Sequence, residues 1–146
     1  MAKGKVSPEL IEQFKQIVGE KYVYTDKDKL EPYSHDEVTD PHYMKEPQVV
    51  VLPATTEEVS KVVKLCYEND TVMVPRAAGT GLAAGAVATF GGVIISIERM
   101  NKILEIDKDN MVCVSEAGVT TSVLQEAVQK EGLSSGGDPC SGDSCF

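Results

Sequence analysis

No apolar run in this 146-residue chain reaches 18 residues, so no stretch is expected to cross a membrane as a helix. Basic residues are scarce. Lys and Arg number 14 against 23 Asp and Glu, a net charge of −9 at pH 7. A surface of that sign repels phosphate backbones and anionic lipid, which argues against nucleic acid or a membrane surface as the main partner. The basic start Met1–Lys5 leads into a polar, amphipathic stretch and lacks the apolar core of a secretory signal. With no such signal, the four cysteines point to reduced thiols and a cytoplasmic location. Internal repeats and low-complexity tracts are also missing. What is present is the balance of an ordinary folded domain, 42% apolar and 25% charged. The length sets a ceiling of one domain with a real core.

Ser7 and Pro8 fit the N-cap and first position of a helix. Leu10, Ile11, Phe14, Ile17 and Val18 then recur at helical spacing up to Gly19. Lys21 to Glu46 is polar and broken by Pro32 and Pro41, with Pro47 just beyond, and predicts a long connection with little regular structure. The chain therefore divides into 1–46, a helix with its connecting segment, and 47–146. In the second part, Val49–Leu52 reads as a strand buried on both faces and stopped by Pro53. Thr55 and Glu58 form a capping box ahead of a helix whose face carries Val59, Val62, Val63 and Cys66. Thr71–Val74, stopped by Pro75, is a second strand, giving a crossover unit with parallel strands. Val93–Ile97 is another strand. Lys102–Ile106 and Met111–Ser115 flank a turn at Asp107–Asn110 as a hairpin. A last helix follows Gly118, with Thr120 as N-cap, Val119 and Leu124 as a staple, Val123, Ala127 and Val128 on one face, and Gly132 at its end. The sum is an α+β fold, a mixed sheet with flanking helices. The tail Ser134–Phe146 is loop-like, an odd place for a natural chain to stop, and suggests a piece of something longer.

The sharpest feature is Val74-Pro75-Arg76-Ala77-Ala78-Gly79-Thr80-Gly81-Leu82-Ala83-Ala84-Gly85-Ala86. It follows a buried strand and is built largely of Gly and Ala. Such a loop can bring successive backbone N–H groups against one anion, most often phosphate or pyrophosphate. An acidic chain needs this device, because net charge cannot attract a diphosphate. A nucleoside-triphosphate loop would end in Gly-Lys-Ser or Gly-Lys-Thr, but Leu82 follows Gly81. The dinucleotide fingerprint also fails. The spacing is Gly79-x-Gly81-x-x-x-Gly85 and a strand follows, although Glu98 falls roughly where that motif's acid would stand. A mobile glycine loop without a ligand is the competing reading.

Pro75-Arg76-Ala77-Ala78-Gly79-Thr80-Gly81-Leu82, Gly91-Gly92-Val93-Ile94-Ile95-Ser96 and Met100-Asn101-Lys102-Ile103-Leu104-Glu105-Ile106-Asp107 closely resemble the FAD-binding domain of the vanillyl-alcohol oxidase / para-cresol methylhydroxylase superfamily. The nearest branch is the FAD-linked subunit of glycolate oxidase and the related D-lactate dehydrogenases. Tyr33-Ser34-His35-Asp36-Glu37, Pro47–Pro53, Glu57-Glu58-Val59, Glu116–Val119 and Asp138–Ser141 fit the same branch, so the likeness runs from about Leu10 onward. The resemblance implies a PCMH-type FAD-binding domain truncated before its second subdomain. It implies that the loop of Arg76, Ala77, Ala78, Gly79, Thr80, Gly81 and Leu82, continuing to Gly85, wraps the FAD pyrophosphate. Gly118 would let the chain pass close by. Gly137–Cys145, with Gly137, Asp138, Ser141 and Ser144, would run along the pyrophosphate and flavin. Thr80 stands where covalently flavinylated relatives carry histidine, which implies non-covalent FAD. The family's next turn, its cap domain and its substrate-binding histidines would lie beyond Phe146, so no catalytic residue is assigned here and the chain alone is expected to be inactive. The implied reaction is oxidation of a small 2-hydroxy acid, with hydride passing to flavin N5 and electrons leaving to a quinone, an electron-transfer flavoprotein or another redox partner. The alternatives are a non-enzymatic nucleotide-binding module, or a fragment that folds without a ligand.

Other polar groups carry weaker signals. His35, Asp36, Glu37, Asp40 and His42 match no standard zinc spacing and read as a polar loop beside the domain, with no metal expected. Cys140 and Cys145 read as free thiols near the flavin rather than a redox pair, and Cys66 and Cys113 fall on core faces. Asp138 and Asp143 suit turn caps better than catalytic acids. Arg76 fits two roles, pairing with a phosphate or bracing the loop through carbonyls.

Overall fold

The structure, a computed structural model, describes residues 5–38, 40–137 and 142–144. Helix α1 (Pro8–Val18) starts where Ser7 Oγ accepts the Leu10 N–H at 3.2 Å, and it buries Leu10, Phe14 and Val18. The main sheet is formed by β1 (Val23–Tyr24), β2 (Val49–Val51), β3 (Met73–Arg76) and β4 (Val93–Ser96), in the order β1-β2-β4-β3. β2 and β3 both run parallel to β4, while β1 is antiparallel to β2, so the sheet is mixed as expected. Both faces are covered. On one, Val49, Val51, Val93 and Ile95 pack with Phe14 of α1 and with Val62 and Cys66 of α3 (Thr56–Glu68). On the other, Val50, Leu52 and Ile94 pack with Leu30 and Ala88. Burial on two sides is why these strands read as unbroken apolar runs. The Thr55 half of the capping box of α3 is made, with Glu58 N–H donating to Thr55 Oγ1 at 3.2 Å, whereas Glu58 Oε2 accepts the N–H of Ala54, one residue before the cap, at 2.7 Å.

Two details differ from the sequence expectation. The segment from Lys21 to Glu46 is not structureless. It contains β1, a short helix α2 (Lys27–Leu30) and 3-10 turns at Glu20–Tyr22, Glu31–Tyr33 and Pro41–Tyr43. β1 is two residues long, too short for alternation to reveal, and backbone pairing with Val51 and Val50 is what fixes it. β3 is displaced toward the C-terminus and runs through Pro75. It sits at the sheet edge, where one side needs no donor and proline is tolerated. β2 and β3 are parallel, as the crossover unit predicts, and β4 lies between them. The chain crosses by α3 on one face and returns through residues 77–92 on the other, where Ala88 is buried.

Beyond β4, β5 (Ile103–Asp107) and β6 (Val112–Ser115) pair antiparallel as a separate hairpin with a bulge between Ile103 and Glu105. Its turn is held by the Asp107 carboxylate, which accepts the Asn110 side-chain amide at 2.7 Å and backbone N–H at 3.0 Å, and these bonds lower the Asp107 pKa. Helix α4 (Thr121–Lys130) has Thr120 at its N-cap, but the threonine side chain makes no capping bond. The Gly142 carbonyl takes that role, accepting the Ser122 N–H at 2.9 Å. An ion pair between Lys108 and Glu131 ties the hairpin turn to the end of α4. No helix among the described residues is long and apolar enough to cross a membrane.

Candidate cofactor site

β3 and β4 are parallel neighbours and end at the same edge of the sheet, β3 at Arg76 and β4 at Ser96. Ligands of open parallel sheets bind outside the carboxyl ends of the strands. A cavity of about 370 Å³ lies there, lined by Arg76, Ala77 and Ala78 after β3, by Ser96 and Glu98 of β4 and its exit, by Pro32 and Tyr33, and by Asp143 and Ser144 of the tail. Tyr33 donates to Glu98 Oε1 at 2.5 Å, and burial together with that carboxylate raises the Tyr33 pKa.

Arg76 is the structural hinge of this edge. It is 8% exposed, and its guanidinium donates to the carbonyls of His35 (2.8 Å), Pro32 (3.2 Å) and Ala86 (3.3 Å). The last bond closes residues 77–85 into a loop, end to end. Burial lowers the Arg76 pKa, with opposing pulls from Tyr33, Asp36 and Glu98. Among the described residues no carboxylate lies within ion-pairing distance of it. Of the two roles open in the sequence, the structure displays bracing, and the braced cation sits directly under the loop. Gly79 shows why: it has φ +77°, and a Cβ there would overlap the guanidinium.

Among the described residues, no carbonyl or side chain accepts from the backbone N–H groups of Ala78 to Ala86. Buried amides are nearly always paired, so a run of open donors belongs at a surface that meets water or an anion. A Cβ on Gly85 would meet nothing within 4 Å. Open donors over a buried, unneutralised cation are complementary to a diphosphate, so the residues present fit a dinucleotide cofactor at the loop.

The family described as FAD binding domain matches residues 47–146. The chain belongs to this family. Among relatives, a D-lactate dehydrogenase of Anaerostipes hadrus is 44% identical over 137 residues, 93% of this chain and 28% of that protein. The glycolate oxidase subunit GlcD of Bacillus subtilis is 38% identical over 109 residues, 75% of this chain and 23% of that one. Among solved structures, p-cresol methylhydroxylase with substrate bound superposes with a TM-score of 0.76 at 27% identity, over 86% of this chain and 25% of that one. The chain thus spans about a quarter of the length of these proteins. The α+β architecture and the PCMH-type FAD-binding assignment stand, FAD is the cofactor of the family, and the family is one of oxidoreductases.

In this FAD binding domain the sequence-predicted residues do not all converge. Arg76, Ala77, Ala78 and Ser144 line one cavity. Gly79, Thr80, Gly81, Leu82 and Gly85 belong to the same loop but do not line that cavity. Gly118 lies elsewhere: its N–H donates to Met100 at 2.7 Å, and a Cβ there would run into the Ile97 and Met100 carbonyls, so protein packing already requires glycine. Gly137 lines a different pocket, beside Ala117 and Val119, and its carbonyl accepts from Gln125 at 2.5 Å. Asp138, Ser141, Cys140 and Cys145 lie outside the described residues. Among the described residues no group of His, Cys, Asp or Glu is placed to hold a metal. Asp40 caps the His42 N–H instead, at 2.9 Å, and His35 faces the Asp36 carbonyl. Sequence reasoning passed over Tyr33 and Ser96 as site residues. Glu98 does not fit a dinucleotide fingerprint because a strand follows the loop, yet it lines the cavity.

Proposed function

We propose that this chain is the FAD-binding portion of a flavin-dependent oxidoreductase that oxidises a small 2-hydroxy acid of the glycolate or D-lactate type. The observation that carries the reading is the run of open amides from Ala78 to Ala86 above the braced Arg76 guanidinium. In this reading residues 47–146 hold the cofactor, and 1–46 completes the sheet and packs on both of its faces, Phe14 on one and Leu30 on the other. Arg76, Ala77, Ala78, Gly79, Thr80, Gly81, Leu82 and Gly85 bind the diphosphate. Gly118, Gly137, Asp138, Ser141 and Ser144 border the rest of the cofactor. Several amides of one loop donate to the diphosphate together. Thr80 offers no imidazole for attachment, which supports a non-covalent complex. When bound, the flavin supplies a hydride acceptor, N5. The residues of this chain orient it and supply no proton-transfer group. The names of the relatives support the substrate class, and a longer protein supplies the substrate base. Electrons pass to an electron-transfer flavoprotein or another acceptor, and the setting is cytoplasmic, in keeping with the free thiols Cys66 and Cys113.

The test is titration of the purified chain with FAD and with ADP, followed by flavin fluorescence and calorimetry. FAD binding with a shifted visible spectrum, and competition by ADP at the same site, is the expected result. Binding of ADP-ribose without any binding of flavin would replace this reading with a nucleotide module. Binding of neither would overturn it.

A further inference from the structure

Asp36 lies outside the residues assigned to the cofactor, and its side chain is 7% exposed. Oδ1 accepts the Val38 N–H at 3.0 Å, which fixes the carboxylate plane. Oδ2 is fully buried and is the one buried side-chain polar atom without a hydrogen-bond partner among the described residues. An unsatisfied buried carboxylate oxygen is costly and calls for an explanation. Its neighbour across the gap is the glycine loop. A Cβ on Gly81 would lie 3.8 Å from Oδ2, and the Glu37 N–H already donates to the Gly81 carbonyl at 3.1 Å. Residue 35 is tied to the same edge by Arg76. An orphan acceptor is therefore held against a bend whose donors are all open.

We propose that Asp36 is a positioning residue for the diphosphate loop: when the loop closes on its ligand, Oδ2 accepts a backbone N–H of the Gly81 bend. One peptide of the bend is then turned toward Asp36, which aims the remaining N–H groups at the diphosphate. The carboxylate does not touch the ligand. It acts through the loop. This inference rests on the loop being the diphosphate site.

Asp36→Asn separates this role from a merely structural one. The retained oxygen still accepts from Val38, while an amide NH₂ replaces Oδ2 and faces donors with donors. The variant should hold or gain thermal stability without ligand, because a buried charge with an empty acceptor is removed, yet bind FAD and ADP ten-fold or more weakly. Asp36→Glu, which moves the acceptor by one methylene, should not restore affinity. In protein loaded with ADP, the amide of Gly81 or Leu82 should exchange more slowly with solvent deuterium in wild type than in Asp36→Asn. Wild-type affinity in Asp36→Asn would overturn the proposal while leaving the loop assignment standing. So would a fall in affinity matched by a fall in ligand-free melting temperature. Failure of wild type to bind either ligand would overturn both.

Discussion

Arg76 reaches three carbonyls in two segments of the chain, Pro32 and His35 in one and Ala86 in the other, and it does so with one planar fork. A lysine ammonium is a point donor on a flexible stem and cannot hold all three. Hydrogen bonds to charged groups contribute roughly 1.5–3 kcal/mol each, so Arg76→Lys should cost about 2–4 kcal/mol of folding stability. The urea midpoint should fall, and FAD affinity with it; an unmoved midpoint would mean the loop ends are held by backbone alone. Gly81→Val probes the space instead. Gly81 has no positive φ and only Asp36 nearby, so the fold should survive while FAD binding is lost; unchanged flavin retention would remove Gly81 from the site. Cys66 gives a pH signature. Burial pushes its thiol from 9.0 up to about 11. A raised pKa in the folded state means the protonated thiol stabilises the fold below pH 9, and that contribution disappears as pH climbs toward 11. Alkylation at pH 8 should therefore mark Cys113 and spare Cys66 until urea is added, as peptide mass mapping would show.

At the scale of elements, what was legible in the sequence was whatever local chemistry decides. Ser7 and Thr55 announce the starts of α1 and α3 because each side chain caps a nearby amide. Thr55→Ala should remove about 1 kcal/mol from α3, read as a lower urea midpoint with an unchanged slope. The buried runs at Val49 and Val93 were equally plain, since both faces of those strands are covered. What escaped was decided across the fold. β1 is defined by its partner, β3 tolerates Pro75 because it lies at an edge, and β4 inserts between two strands that precede it. Thr120 had the right identity for a cap, but the carbonyl that does the work comes from Gly142, twenty residues downstream of Ser122. The site divides the same way. The loop was visible from composition, whereas the placement of Tyr33, Glu98 and Asp36 around it required residues 31–38 to fold back on the ends of β3 and β4.

For the molecule as a whole, the proposed function requires a chain of charge −9 to hold a diphosphate. Two fields compete, and they differ in range. The repulsion comes from net charge spread over a body whose radius of gyration is roughly 15 Å. In the proposed complex the attraction would come from the loop amides and the Arg76 guanidinium, close to the ligand. At 0.01 M salt the screening length is about 30 Å, so the whole acidic surface opposes approach. At 0.15 M it is about 8 Å, and distant carboxylates are muted while the contacts at the loop are little affected. ADP and FAD should therefore bind this chain no more weakly, and associate faster, as sodium chloride is raised from 0.01 to 0.15 M. Stopped-flow quenching of flavin fluorescence would measure it. A steep loss of affinity over that range would instead signal capture by exposed basic side chains, and would place the diphosphate somewhere other than the glycine loop.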